Sequence, residues 1–218
     1  MRLRIGHPGS LLVIAPHPDD ETIGAYGLMR RLRRRGVIVH VLVIADGAAS
    51  HPASAAWPRQ RLVQERRRET RRAVRRIGVA AQNVTCLGLP DGALDTVAPR
   101  VRRGIARAIG CAARPLLVAG PAVGDDHPDH RVVAAAIRAV RRPGIRRLAF
   151  PVWPAGDALP GARALPLTAV ERLGKRHAIR SYATQTGRIT DDPGGFALTR
   201  AQIAAFCRPA ETFVDLCR

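Results

Sequence analysis

The chain has 218 residues and a mass of 23.5 kDa, which suits one α/β domain better than two. Hydrophobic residues make up 46% of it, which allows a substantial core and argues against extensive disorder. The formal net charge is +19, and every basic residue except Lys175 is an arginine. Aromatic residues reach only 4% and the arginines are spread along the whole chain, so a compositional bias explains the charge better than a nucleic-acid-binding surface does.

Short apolar runs alternate along the chain with longer amphipathic stretches. In chain order the pattern predicts strands at 11–15, 37–45, 84–89, 116–119, 148–152 and 211–216, and helices at 22–35, 59–77, 97–112, 130–141 and 168–180. Such alternation predicts a single α/β domain, residues 1–218, with a mainly parallel sheet and helices on both of its faces.

Residues 151–167 are rich in proline, glycine and alanine. We expect a loop or lid there, because too few residues follow for a second domain. The first apolar run, 11–15, is too short for a signal peptide or a membrane span. No two cysteines are closely spaced in the sequence; they are Cys86, Cys111, Cys207 and Cys217. Together with the short apolar run, this predicts a reduced, cytoplasmic protein without a membrane partner.

Two clusters of histidine and aspartate directly follow predicted strands. PHPDDE at 16–21 follows the first strand, and DDHPDH at 125–130 follows the fourth after a short turn. Ligands of open α/β sheets bind outside the carboxyl ends of the strands, so folding is expected to bring the two clusters together. An Asp-Asp pair at a helix start is also a common N-cap, but two such clusters at one edge favour a metal site.

The composition of the clusters suits a catalytic zinc ion, which is typically bound by histidine and carboxylate with one position left for water. His17 and Asp20 share one face of a helical turn, and His130 completes a set of two imidazoles and one carboxylate. Asp19 is then free to deprotonate the water, and His127 to stabilise the oxyanion or protonate the leaving amine. Another divalent metal such as Fe²⁺ stays open.

At these residues the sequence resembles the PIG-L/LmbE-type deacetylases, zinc hydrolases that remove an acetyl group from N-acetylglucosamine-bearing substrates. The resemblance rests on APHPDDETIGAYG at 15–27 and HPDH at 127–130. ADGAASHP at 45–52, RRRE at 66–69 and LGLPDG at 87–92 support it. It implies a Rossmann-like fold.

The resemblance also implies roles for single residues. The family's zinc ligands match His17, Asp20 and His130, and its general base matches Asp19. The resemblance therefore agrees with the roles that the residue types themselves suggest.

The resemblance assigns roles to four further residues, in some cases in agreement with what the residue type itself suggests. His127 matches the histidine that supports the oxyanion, and Asp129 the carboxylate oriented behind that histidine. Arg66 and Asp91 match positions that contact the sugar, although a solvated helix arginine and a turn aspartate explain them equally well.

One departure from the family bears on the substrate. Many relatives carry a bulky residue just before the second motif, where this chain has Asp125 and Asp126. These carboxylates would repel an anionic substrate or hold a cationic one.

The function predicted from these features is zinc-dependent hydrolysis of the amide of an N-acylated amino sugar or glycosylated small molecule, such as an antibiotic or thiol-cofactor intermediate. The alternative is a polyanion- or nucleic-acid-binding protein on the same scaffold with a weak or vestigial metal site. The first hypothesis predicts a small-molecule partner and no specific nucleic-acid partner. It leaves open whether the protein forms a homo-oligomer.

Overall fold

The computed structural model describes residues 1–157 and 159–216. Its strands are β1 (Ser10–Ala15), β2 (Ile38–Ala45), β3 (Val84–Leu89), β4 (Leu116–Pro121), β5 (Ile145–Phe150), β6 (Arg163–Pro166) and β7 (Ala210–Asp215). They form one sheet in the order β3-β2-β1-β4-β5-β7-β6. β1 to β5 run parallel, while β7 pairs antiparallel with β5 and β6. The prediction of a mainly parallel α/β sheet is confirmed.

The helices are α1 (Asp20–Arg34), α2 (Arg59–Arg75), α3 (Ala98–Cys111), α4 (Pro128–Ala139), α5 (Ala169–Arg180) and α6 (Arg200–Phe206). Side chains of β1 alternate between two cores: Leu11 and Val13 lie in one and Leu12 and Ile14 in the other. The first core includes residues of α1, α2, α5 and α6, and the second includes residues of α3 and α4. Helices therefore cover both faces, as predicted.

Two short elements were not predicted. Strand β6 lies within residues 151–167, so the expectation of a loop there is wrong for its last part. The described residues between β5 and β6 form neither helix nor strand. β6 has four residues and gains its regularity by pairing with β7. Helix α6 has seven residues and buries only Ile203 and Phe206, too few for a periodic pattern. Its one sequence signal is a capping box from Thr199 to Gln202.

Helix α1 is broken at Ala25, where φ is −139° and ψ is 21°. The carboxylate of Glu211 accepts the freed N–H groups of Gly27 and Leu28 at 2.8 and 3.1 Å. Lys175, the single lysine of the chain, donates to the same carboxylate at 3.0 Å, and this ion pair is buried. The pair therefore ties the middle of α1 to α5 and β7.

The cysteines that the structure describes, Cys86, Cys111 and Cys207, are free, and Cys217 lies outside the described residues. Within residues 1–157 and 159–216, no helix is long and apolar enough to cross a membrane.

Candidate active site

The two histidine–aspartate clusters meet at the carboxyl ends of β1 and β4. These strands are hydrogen-bonded neighbours in the centre of the sheet. His17 lies in the turn between β1 and α1, and His130 lies in the first turn of α4. The parallel pairing of β1 and β4 thus brings together residues that are far apart in the chain, as the sequence predicts.

Three potential ligand atoms form a nearly equilateral triangle at this point. Oδ2 of Asp20 lies 3.3 Å from Nδ1 of His17 and 3.3 Å from Nε2 of His130, and the two nitrogens are 3.2 Å apart. Ligand atoms about 2.0–2.1 Å from a tetrahedral ion lie about 3.3–3.4 Å from one another. The donor set and its spacing therefore fit a tetrahedral divalent metal with its fourth position open.

Both histidines of the triangle present their second ring nitrogen to carboxylates. Nδ1 of His130 lies 3.2 Å from Asp125, and Nε2 of His17 lies 3.1 Å from Asp91 and 3.2 Å from Asp129. A carboxylate behind a ligating histidine fixes its tautomer and raises its basicity. This arrangement supports ligation through Nδ1 of His17 and Nε2 of His130.

The carboxylates also make the triangle favourable for positive charge. Burial lowers the pKa of His130, but the charge of Asp20 and the contact with Asp125 more than offset this and raise it to about 9. Burial raises the pKa of Asp20, yet the neighbouring His130 and His17 hold it well below its usual range. The same field would stabilise a bound cation.

Other triplets of potential ligands surround His17. His17 with His127 and His130, and His17 with Asp91 and Asp129, each offer ligand atoms within 4.8 Å of one another. Asp91 and Asp129 approach the Nε2 side of His17, whereas Asp20 and His130 approach its Nδ1. Asp91 and Asp129 thus lie on the side of His17 that faces away from the triangle.

The position of Asp129 differs from the one expected through the family resemblance. Its carboxylate accepts the N–H groups of Gly92 and Leu94 at 2.9 and 3.0 Å and faces His17, not His127. Only its backbone N–H contacts His127, as a donor to Nδ1 at 3.2 Å. The expectation that Asp129 orients His127 through its carboxylate is therefore wrong, because the turn at 92–94 draws the carboxylate away from that ring.

Asp19 is buried beside the triangle in a strained conformation. Its φ of 126° is the only positive value at a non-glycine residue among those described, and such strain costs about 1–3 kcal/mol. Burial raises the pKa of Asp19 well above its usual range, although the guanidinium of Arg66 at 3.7 Å opposes this. A buried carboxylate with a raised pKa has the properties of a general base that later returns its proton.

Glu21, which the sequence motifs alone do not single out, holds this strained turn. Its Oε2 accepts the N–H of Asp19 at 3.1 Å, and its Oε1 is hydrogen-bonded by the hydroxyl of Tyr182. Glu21 and Tyr182 are both completely buried. The sequence signal for Glu21 was its place as the last residue of PHPDDE. Its partner Tyr182 lies beyond α5, so the motif could not predict this contact.

His127 is the N-cap of α4, and its Nδ1 accepts the N–H of Asp129. The neutral ring therefore carries its proton on Nε2, which leaves a hydrogen-bond donor available. The ring stacks on His130 with centroids 4.9 Å apart and meets His17 edge-on at 4.6 Å. Burial, together with the charges of these two histidines, lowers the pKa of His127.

Arg66 is not a solvated helix residue, since only 3% of it is exposed. Its guanidinium donates to the carbonyl oxygens of Gly47 and Pro18 at 2.9 and 2.7 Å. Asp91 accepts the N–H of Ala49 at 2.9 Å in addition to facing His17. Both residues line the same cavity as the triangle.

The cavity has a volume of about 640 Å³. Its lining includes most of the residues expected at the site: His17, Asp19, Asp20, Arg66, Asp91 and His127. Trp153 and Phe196 also line the cavity, and both are partly exposed. A cavity of this size is in the range of those that enclose small organic ligands.

A family model described as PIG-L: GlcNAc-PI de-N-acetylase matches residues 12–141, more than half of the chain. The chain belongs to the PIG-L family. The match spans both histidine–aspartate clusters and therefore includes all three residues of the triangle.

Among curated proteins, a 2'-N-acetylparomamine deacetylase of Streptomyces fradiae is similar to this PIG-L chain. The two are 31% identical over 152 residues, which is 62% of this chain and 53% of the relative. The chain thus matches about half the length of that relative.

Solved structures of low sequence identity share the PIG-L fold. An N,N'-diacetylchitobiose deacetylase from Pyrococcus horikoshii superposes with a TM-score of 0.70 at 19% identity, over 96% of this chain and 84% of the other. A zinc-inhibited teicoplanin deacetylase gives a TM-score of 0.68 at 19% identity, over 95% and 99%. A 4-carboxy-2-hydroxymuconate hydratase gives 0.63 at 18% identity, over 91% and 83%. Because a hydratase also has this fold, the fold alone does not assign the reaction.

Proposed function

We propose that this protein is a metal-dependent amidohydrolase that removes the acyl group from the amide nitrogen of an N-acylated amino sugar or glycoside. The observation that carries the proposal is the triangle formed by His17, Asp20 and His130, with the buried carboxylate of Asp19 beside it in one cavity. Family membership points to the same chemistry.

The bound metal would supply Lewis acidity and lower the pKa of water toward about 7. Asp19 accepts the proton of the water that attacks the amide carbon. Arg66 faces Asp19 and holds the backbone of Pro18, so it keeps the carboxylate in place during this transfer.

His127 stabilises the negative charge that develops on the carbonyl oxygen. It does so through Nε2–H, because its Nδ1 is occupied as the acceptor at the start of α4. A neutral ring that donates from Nε2 is a poor source of a full proton for the amine. Asp19, protonated in the first step, is then the donor to the leaving nitrogen, and the products are the free amine and the carboxylic acid.

The names of the relatives support the proposed substrate class. The curated relative is a deacetylase of 2'-N-acetylparomamine, and structural relatives are named as deacetylases of N,N'-diacetylchitobiose and teicoplanin. We propose an N-acylated amino sugar within a glycoside, with Arg66 and Asp91 near the sugar because both line the cavity.

The metal is proposed to be zinc, with Fe²⁺ as the competing choice, since two imidazoles and one carboxylate suit both ions. Residues 1–218 are proposed to form one domain, and the cytoplasm is the proposed compartment. The interpretation as a polyanion-binding protein rests on the net charge of +19 alone.

The test is the release of free amine from N-acetylated glucosamine glycosides by protein of measured metal content, with and without a chelator. We expect about one metal ion per chain, turnover that the chelator abolishes, and recovery when zinc or iron(II) is restored. Metal-loaded protein that releases no amine from any N-acetylated glycoside, but binds heparin in a salt-dependent way, would contradict the proposal and favour the alternative.

A further inference from the structure

The outer half of the cavity contains residues that the proposed reaction does not use. They include the exposed Asp126, Pro154 and Phe196 and the partly exposed Trp153 and Gln202. The cavity of about 640 Å³ is larger than a single acetylated sugar requires, so the outer half has room for a further part of the substrate.

An aromatic wall forms one side of this outer half. The ring of Trp153 meets Phe196 edge-on at 6.0 Å and packs on the buried Phe206 at 5.5 Å. The chain has only two Trp and four Phe, and one of each lines this cavity. Half-exposed aromatic rings that are anchored from behind offer an apolar surface with little loss of side-chain entropy on binding, which suits the C–H face of a sugar ring.

A carboxylate lies next to this wall. The N–H of Asp126 donates to the carbonyl oxygen of Trp153 at 3.3 Å, which holds the two residues side by side. Arg131 donates to the backbone oxygen of Asp126 at 2.8 Å, and within the described residues the Asp126 carboxylate forms no ion pair. Asp126 thus offers an unpaired negative charge at the mouth of the cavity.

Positive charge is scarce in the cavity although it dominates the protein. Among the described lining residues Arg66 is the only arginine, and it faces Asp19 at the inner end. Arg131 lies close to Asp126, since its guanidinium donates to the backbone oxygen of that residue, but Arg131 does not line the cavity. In the outer half of the cavity, the charged side chain of the described lining is therefore the carboxylate of Asp126.

We propose that this outer half binds a second sugar ring that carries an ammonium group. Trp153 and Phe196 contact the apolar face of that ring, and Asp126 pairs with its ammonium. The inference rests on the proposed deacetylase function and narrows its substrates to cationic glycosides that retain a free amine beside the acylated one.

The experiment compares two disaccharides of one skeleton on the metal-loaded protein. Chitobiose acetylated on one amine carries an ammonium group, whereas N,N'-diacetylchitobiose carries none. We expect calorimetry to show about fivefold tighter binding of the cationic disaccharide, the magnitude of one well-placed exposed ion pair, and a smaller preference at high salt.

Asp126→Asn should reduce the ratio of the two binding affinities to about one. Asp95→Asn is the matched control, because Asp95 is an exposed aspartate that does not line the cavity, and it should keep the preference. Trp153→Leu should weaken the binding of both disaccharides while their ratio stays the same.

Equal binding of the two disaccharides by the wild type, or a preference that survives Asp126→Asn, would overturn the subsite. Amine release is measured in parallel, so that the two proposals separate. Preferential binding without turnover of either disaccharide would contradict the deacetylase function, whereas turnover without the preference would contradict only the subsite.

Discussion

The carboxylate of Asp125 lies 3.2 Å from Nδ1 of His130, whose other nitrogen faces Asp20 at 3.3 Å. Asp125 also accepts the N–H groups of Val152 and Trp153 at 3.1 and 3.0 Å, and its side chain is fully buried. Asp125, which precedes the second motif and was expected to act on the substrate, thus positions the ring of His130.

Asp125→Asn should lower metal affinity about 10- to 100-fold, because the amide supports the ligand less well than the carboxylate does. Competition with a chelator of known affinity measures the change. Asp126→Asn is the neighbouring control of equal chemistry, and its metal affinity should match that of the wild type. Unchanged affinity in Asp125→Asn would show that the contact is only structural.

Asp19→Asn should keep the metal and lower kcat about 10²- to 10⁴-fold, since the amide cannot accept the proton of water. His17→Ala should lose both the metal and the activity, because it removes a corner of the triangle. Metal analysis and amine release on the same samples separate the two effects. Full activity in Asp19→Asn would eliminate Asp19 as the base.

His127→Ala should retain the metal and lower kcat about 10²- to 10³-fold through loss of the oxyanion donor. The loss should be smaller for an N-trifluoroacetyl substrate, whose oxyanion is a weaker base while the leaving amine is the same. An equal loss on the N-acetyl and N-trifluoroacetyl substrates would instead indicate that His127 acts on the amine.

Lys175→Met should destabilise the fold by about 3–5 kcal/mol, because it leaves the buried carboxylate of Glu211 without its cation. Urea unfolding measures the loss. Arg176→Met changes an exposed cation on the same helix and should be close to neutral. A similar effect of both changes would mean that the ion pair does not hold the break in α1.

The pair of Arg31 and Glu171 predicts an acid-dependent loss of stability. Arg31 binds both carboxylate oxygens at 3.0 and 2.8 Å and, despite partial burial, lowers the pKa of Glu171 from 4.5 to about 2. Because the folded pKa is depressed, the pair stabilises the protein above about pH 4.5, and this contribution is lost as the pH falls toward 2.

Glu171→Gln should therefore be less stable than the wild type at pH 6, and the difference in unfolding free energy should shrink between pH 4.5 and 2. Urea titrations at several pH values measure it. A difference that does not vary with pH would attribute the effect to the capping box from Thr168 to Glu171 alone.

The structure also shows where several of the arginines are used. Arg33 donates to the carbonyl oxygens of Gly78 and Val37, and Arg61 and Arg188 pack on the ring of Trp57 at 4.2 and 4.9 Å. These contacts join loops and helices within the molecule. They need no polyanion partner, which agrees with the interpretation of the charge as a compositional bias.

The sequence alone predicted the mainly parallel character of the sheet and the strand ends at which the site lies, although it missed β6. β1 and β2 are continuous apolar runs because both faces of the sheet are buried, and the helices are amphipathic because one face of each is buried. Both patterns can be recognised without the tertiary structure. The types and spacing of His17, Asp20 and His130 likewise indicate metal ligation, because imidazole and carboxylate groups that follow buried strands are typical ligands of a catalytic metal.

Only the tertiary structure decided which carboxylate supports which ring. Asp129 lies behind His17 although it is next to His130 in the chain, and Asp125 lies behind His130. The pairing of β1 with β4 and the path of the turn at 92–94 set these contacts. A hydrogen bond depends on distance and angle between atoms that distant segments place, and a linear pattern of residue types does not contain that geometry.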